Sequence, residues 1–220
     1  MPGPSRHIAL QLWTLRQHML TAEDVPRTFE RLRTIGFEHV ELYHGLPLSA
    51  PELKRCAEGA GLGICASHEE PSAVVAEPAR VAERLHQLGC RYAVYPQPHR
   101  PLQTLEQVLE LADQLTLAGE VLRRSGQLLT YHNHALEFRP LPAGPRPMDI
   151  LAERTPRETV LQLDVGTCME AGVDPVAWIK AHPGRIHSIH CKDWSTEPDK
   201  GYRVLFGEGV SPWTEIFAAA

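Results

Sequence analysis

Short apolar runs alternate with longer amphipathic ones along the chain. Residues 8–13 are apolar apart from Gln11 and predict a first strand. Thr21-Ala22-Glu23-Asp24 then supplies an N-cap candidate and early acids that suit a helix dipole, and Gly36 stops the helix. The same reading predicts strands over 39–43, 63–67, 92–95, 128–131, 160–163 and 186–191. Helices are predicted near 50–59, 76–88, 102–125, 148–154 and 174–181, with a further helix start over 212–217. Gly59 and Gly61, Gly89 and Gly126 end the helices that precede them, and residues 140–147 form a loop rich in Pro and Gly.

About seven strand–helix pairs imply a parallel sheet, either open and doubly wound or closed as a (β/α)8 barrel. A nucleotide-binding open sheet carries a glycine-rich turn after its first strand. Residues 14–18, Thr-Leu-Arg-Gln-His, contain no glycine. Polar residues instead follow many different strands: Trp13, Glu41, His68, His132, Asp164 and His190. Strand C-terminal ends of a barrel face one pocket, so the α/β class expected is a TIM barrel in a single domain over 1–220. Such a barrel takes roughly 250 residues. The expectation is therefore a barrel that stops before its eighth strand, less stable and less active than a longer version.

Composition narrows the function classes. Hydrophobic residues make up 43% and charged residues 22%, as in soluble globular domains. The net charge of -5 argues against a nucleic-acid partner, which needs a basic surplus. No apolar run reaches the 18 residues or so of a membrane span. Met1-Pro2-Gly3-Pro4-Ser5-Arg6 leads into an apolar run too short for a signal peptide. The 5 cysteines, an odd number without a CxxC pair, suit a reducing cytoplasmic setting. Self-association into a homo-oligomer stays open.

Glu137, Asp164 and His190 follow one another at 27 and 26 residues, about one βα unit each. A mixed carboxylate and imidazole set at one mouth suits Mn²⁺, Mg²⁺, Co²⁺ or Zn²⁺. Each residue alone could be an ordinary polar group at a strand end, and His190 a hydrogen-bonded structural histidine. Asp164 stands out because a carboxylate ending a buried strand needs a cation or donors. In Tyr131-His132-Asn133-His134-Ala135-Leu136-Glu137-Phe138, His132 and His134 share a face if the strand continues. They could bind a metal or sugar hydroxyls, or belong to a polar loop.

These segments resemble the xylose-isomerase-like sugar phosphate isomerase/epimerase superfamily. The resemblance rests on Gln11-Leu12-Trp13-Thr14-Leu15-Arg16, Gly36-Phe37-Glu38-His39-Val40-Glu41-Leu42-Tyr43, the Tyr131-to-Phe138 segment, Leu163-Asp164-Val165-Gly166, Ala171-Gly172-Val173-Asp174-Pro175 and His190-Cys191-Lys192-Asp193, in that order. It implies a TIM barrel with a divalent metal at the strand C-terminal mouth, held by Asp164, His190 and Glu137, with His132 as the competing ligand. The superfamily's fourth ligand, a Glu on the eighth strand, has no counterpart here.

The implied reaction is isomerisation or epimerisation of a sugar through an enediolate, which a metal stabilises while side chains move a proton. Glu137, His68 and Lys192 are the catalytic candidates. Trp13, His68, His132 and His134 are the substrate-binding ones. Lys192 could equally form a salt bridge with Asp193 or a neighbour, and Trp13 could serve packing alone. An inosose dehydratase-like lyase, a keto-glycoside-cleaving enzyme and a non-catalytic sugar-binding remnant use similar residues. A DNA repair endonuclease would want more ligands and a basic groove.

Overall fold

The computed structural model describes residues 8–142 and 144–220. Met1 to Arg6, where the sequence lacks a signal-peptide core, lie outside the described residues, as does Ala143 in the 140–147 loop. The chain forms two compact units. One holds the described residues through Val94 together with Val121–Leu128; the other holds Tyr95–Glu120 and Leu129–Ala220.

The first unit begins with β1 (Leu10–Gln11), shorter than the predicted strand. The Gln11 side chain accepts the Trp13 N–H at 2.6 Å and turns residues Leu12–His18 into a 3-10 helix. Then come α1 (Asp24–Ile35), β2 (His39–Tyr43), α2 (Ala50–Ala60) and β3 (Gly63–His68). In α1, Val25, Phe29 and Leu32 recur at helical spacing and are buried. Gly36, at φ 115, ends it in a conformation that favours glycine. Ser49 and Glu52 close a capping box on α2, which packs against α1.

The helix predicted near 76–88 is α4 (Pro78–Leu88), and a short helix that was not expected, α3 (Pro71–Ala76), precedes it. Pro78 keeps the two apart: its ring disfavours helical backbone at the preceding residue, and Glu77 leaves the helix at φ -135, ψ 49. β4 (Tyr92–Tyr95) follows. β1 pairs with β2, β2 with β3 and β3 with β4, all parallel.

The second unit holds most of α5 (Leu105–Arg124), then β5 (Leu128–His132) from Leu129 on, and a 3-10 helix over Ala135–Phe138. Next come α6 (Pro147–Arg154), β6 (Val160–Asp164), α7 (Val165–Glu170), α8 (Pro175–Ala181), β7 (Ile186–His190) and α9 (Trp213–Ala219). The short helix α7 was not expected. Asp164 caps it, accepting the Thr167 N–H at 2.8 Å. β5, β6 and β7 pair in parallel in chain order. Every residue of β6 is buried, as in a strand covered on both faces.

The described residues thus carry seven parallel strands separated by helices, an α/β chain of the (β/α) barrel type, and no eighth strand among them. No helix among them is long and apolar enough to cross a membrane.

Candidate metal centre and its surroundings

Three strands of the second unit end on side chains with metal-ligating chemistry: His132 on β5, Asp164 on β6 and His190 on β7. The ring centroids of His132 and His190 are 4.5 Å apart. His190 Nδ1 lies 3.9 Å from Asp164 Oδ2. Asp164 is 1% exposed, and a carboxylate enclosed to that degree requires cations or donors. Its Oδ1 caps α7, and Lys192 Nζ stands 3.1 Å from its Oδ2. Lys192 therefore pairs with Asp164, not with its neighbour Asp193.

Two residues make this possible. A Cβ on Gly166 would lie 2.8 Å from the Lys192 carbonyl oxygen and 2.9 Å from its Cδ, so only glycine lets the lysine cross the start of α7. Asn133 stitches β5 to β6: its Oδ1 accepts the Asp164 N–H at 3.0 Å, and its Nδ2 donates to Thr167 Oγ1 at 2.9 Å. The alternation of His132, Asn133 and His134 was the available signal for Asn133, whose side chain is fully enclosed while the two histidine rings meet edge to face at 5.1 Å.

Glu137 is brought to different partners. Its carboxylate accepts the Tyr131 O–H at 2.9 Å and the His134 N–H at 3.0 Å. The His134 ring accepts a backbone N–H from Glu137 in return. Burial pushes the Glu137 carboxyl up to about 7, against the lowering effect of these hydrogen bonds. Burial also raises the Tyr131 hydroxyl well above its ordinary value, with the Glu137 charge adding to it.

Beyond His190 the chain enters a long loop anchored by Asp193. That carboxylate accepts the N–H groups of Trp194 (2.8 Å), Gly207 (2.9 Å), Gly209 (3.0 Å) and Ser211 (3.2 Å), and the Trp213 indole N–H (3.0 Å). Burial alone would raise its pKa, but the hydrogen bonds outweigh burial and hold it well below the carboxylate range. The loop carries Tyr202, whose hydroxyl donates to Glu170 and whose ring centroid is 4.4 Å from Lys192 Nζ.

In the first unit, His68 ends β3 and its Nε2 is 3.0 Å from Glu41 Oε1 on β2, both side chains buried. The carboxylate thus orients the imidazole, a partnership the sequence reading did not assign. Trp13 is 52% exposed, with its ring edge-on to Tyr43 and the Arg16 guanidinium 4.8 Å from its centroid.

His132, Asp164 and His190 offer two imidazoles and a carboxylate, a donor set that fits Mn²⁺, Co²⁺ or Zn²⁺ well and Mg²⁺ less well.

Residues 29–220 match the family model for the xylose isomerase-like TIM barrel. Among solved structures, a sugar phosphate isomerase/epimerase from Parabacteroides distasonis ATCC 8503 is similar at a TM-score of 0.84 and 23% identity, over 97% of this chain and 81% of that one. An L-ribulose 3-epimerase matches at a TM-score of 0.71 and 17% identity, over 97% and 76%. The probable 3-DHS dehydratase of petrobactin synthesis from Bacillus anthracis matches at 0.71 and 15%, over 97% and 88%. At these identities the likeness concerns the fold. The comparison with curated proteins gives no match.

Proposed function

The chain belongs to the xylose isomerase-like TIM-barrel family, and on that premise we propose that it is a divalent-metal-dependent isomerase or epimerase of a sugar or sugar derivative, working through an enediolate. The observation that carries this reading is the gathering of His132, Asp164 and His190 at the ends of three consecutive parallel strands. These three residues would hold the ion; His132, rather than Glu137, is the ligand proposed from the fifth strand. When bound, the ion supplies Lewis-acid polarisation of the substrate carbonyl.

The remaining chemistry belongs to the chain's own side chains. Lys192 is 42% exposed at the side chain while its ammonium meets Asp164. It can therefore reach solvent-borne substrate and donate to an oxygen that gains negative charge. His68, oriented by Glu41, is the candidate for moving the proton between carbon and oxygen. Trp13 and His134 are the candidates for contacting sugar hydroxyls and ring faces.

The test is exchange chemistry on a panel of ketoses in D2O with added Mn²⁺. Deuterium entering the carbon beside the carbonyl, with an epimer or aldose accumulating, supports the proposal. An unsaturated product with loss of water would instead make the protein a dehydratase. Bound sugar without deuterium exchange would make it a sugar-binding protein.

A further inference from the structure

Glu137 looks at first like a metal ligand or a base, since it is a carboxylate five positions beyond the end of β5. Its surroundings argue for another task. It has no exposed surface, and both of its hydrogen-bond donors come from its own turn, Tyr131 O–H on one oxygen and His134 N–H on the other. Those two donors flank His132 and Asn133 in the chain. Tyr131 is itself fixed, its ring stacked on Tyr95 at 5.6 Å between centroids. Asn133 is held from the other side by the end of β6. The reciprocal bond from the Glu137 N–H to the His134 ring closes the turn a second time.

We propose that Glu137 is a positioning residue: its carboxyl clamps the Tyr131-to-His134 turn so that the His132 ring stands beside His190, and it neither binds the ion nor takes the substrate proton. The inference rests on His132, Asp164 and His190 being the metal set. An enclosed carboxyl with two donors and a pKa raised by burial suits a clamp.

The chemistry of the clamp predicts which variants keep it. In Glu137→Gln, the amide oxygen still accepts the His134 N–H while the amide NH2 donates to the Tyr131 oxygen. In Glu137→Ala both donors lose their acceptor.

The test uses the full chain and Mn²⁺ alone, followed by electron paramagnetic resonance, with His132→Ala as reference. Glu137→Gln should hold Mn²⁺ within about threefold of the parent and keep the nitrogen coupling from imidazole. Glu137→Ala should weaken binding by about 10–100-fold, the usual effect of removing a group that orients a ligand. His132→Ala should bind weakest and lose part of the nitrogen coupling. If Glu137→Gln instead loses Mn²⁺ as fully as His132→Ala does, the carboxylate is a ligand and the clamp is overturned.

If the parent chain binds no Mn²⁺, the metal reading fails, and amide hydrogen exchange at His134 decides the clamp separately. Protection kept in Glu137→Gln and lost at least about tenfold in Glu137→Ala supports it, since breaking one hydrogen bond is worth about that factor. Equal protection in both variants overturns it.

Discussion

Replacing Asp193 by alanine tests how the loop after β7 is held. Five donors converge on this one carboxylate, four backbone N–H groups and the Trp213 indole, at 2.8–3.2 Å. Hydrogen bonds to a charged group contribute about 1.5–3 kcal/mol each, so the set has an upper bound of about 7–15 kcal/mol if the contributions summed. They do not sum, because the loop opens and its amides regain water well before that limit. The expected loss is about 3 kcal/mol of local stability, which is about a 100-fold loss of amide protection at Gly207, Gly209 and Ser211.

Asp193→Asn should be no better than Asp193→Ala. Its oxygen can still serve Trp194 and Ser211, but its NH2 faces the N–H groups of Gly207, Gly209 and Trp213, donor against donor. The carboxyl is held well below its ordinary value in the folded chain. Its contribution is therefore complete above the unfolded pKa, about 3.9, and fades only as pH falls below that toward the folded value. Hydrogen exchange read by NMR at neutral pH measures the effect directly, with Trp213 fluorescence as a second probe. Unchanged protection at Gly207 and Gly209 in Asp193→Ala, or full rescue by asparagine, would refute the anchoring argument.

Gly209→Ala should release the same loop, since its Cβ would stand 2.2 Å from Asp193 Oδ1 and 2.4 Å from the Trp194 carbonyl oxygen; protection at Ser211 reports it. Glu137 gives a pH dependence of the opposite sign. Its carboxyl moves from an ordinary 4.5 to about 7 on folding, so the folded state binds the extra proton between those values. Stability should fall by about 3 kcal/mol as pH rises through that window, and Glu137→Gln should flatten the slope in denaturant titrations. Asp174 accepts the N–H groups of Val176 and Ala177 at the start of α8, so Asp174→Ala should cost about 1 kcal/mol in the same assay.

Most of the fold is legible in the sequence because parallel strands buried on both faces read as apolar runs, and glycines mark helix ends. Residues 160–163, Val-Leu-Gln-Leu, announce β6, and Gly89 at φ 68 ends α4 where expected. The departures have local causes that compete with periodicity. The Gln11 side chain cuts β1 short by accepting the Trp13 N–H, and Pro78 separates α4 from a short α3 that was not expected. Asp164 starts α7 where its sequence reads as the end of a strand followed by a glycine. Asn133, Gly166 and the gathering power of Asp193 are harder to read. Each acts on a partner distant in the chain or through the space a missing Cβ leaves, and apolar patterning carries no trace of either.

Equal spacing and position on the strand point to different residues at the candidate site. Glu137, Asp164 and His190 lie nearly equally far apart, yet distance along the chain includes loops whose length has no bearing on the mouth of a barrel. The segment from β5 to β6 contains the 3-10 helix, the 140–147 loop and α6, whereas that from β6 to β7 contains two short helices. What the strands share is the C-terminal mouth at which they end. Asp164 pairs with His190 in the β6–β7 register, while His132, the last residue of β5 and five residues before Glu137, pairs with Gln162, two residues before Asp164. Position at a strand end therefore favours His132, Asp164 and His190 as the proposed set. It leaves Glu137 in the turn beyond, where a carboxylate finds backbone and hydroxyl donors instead.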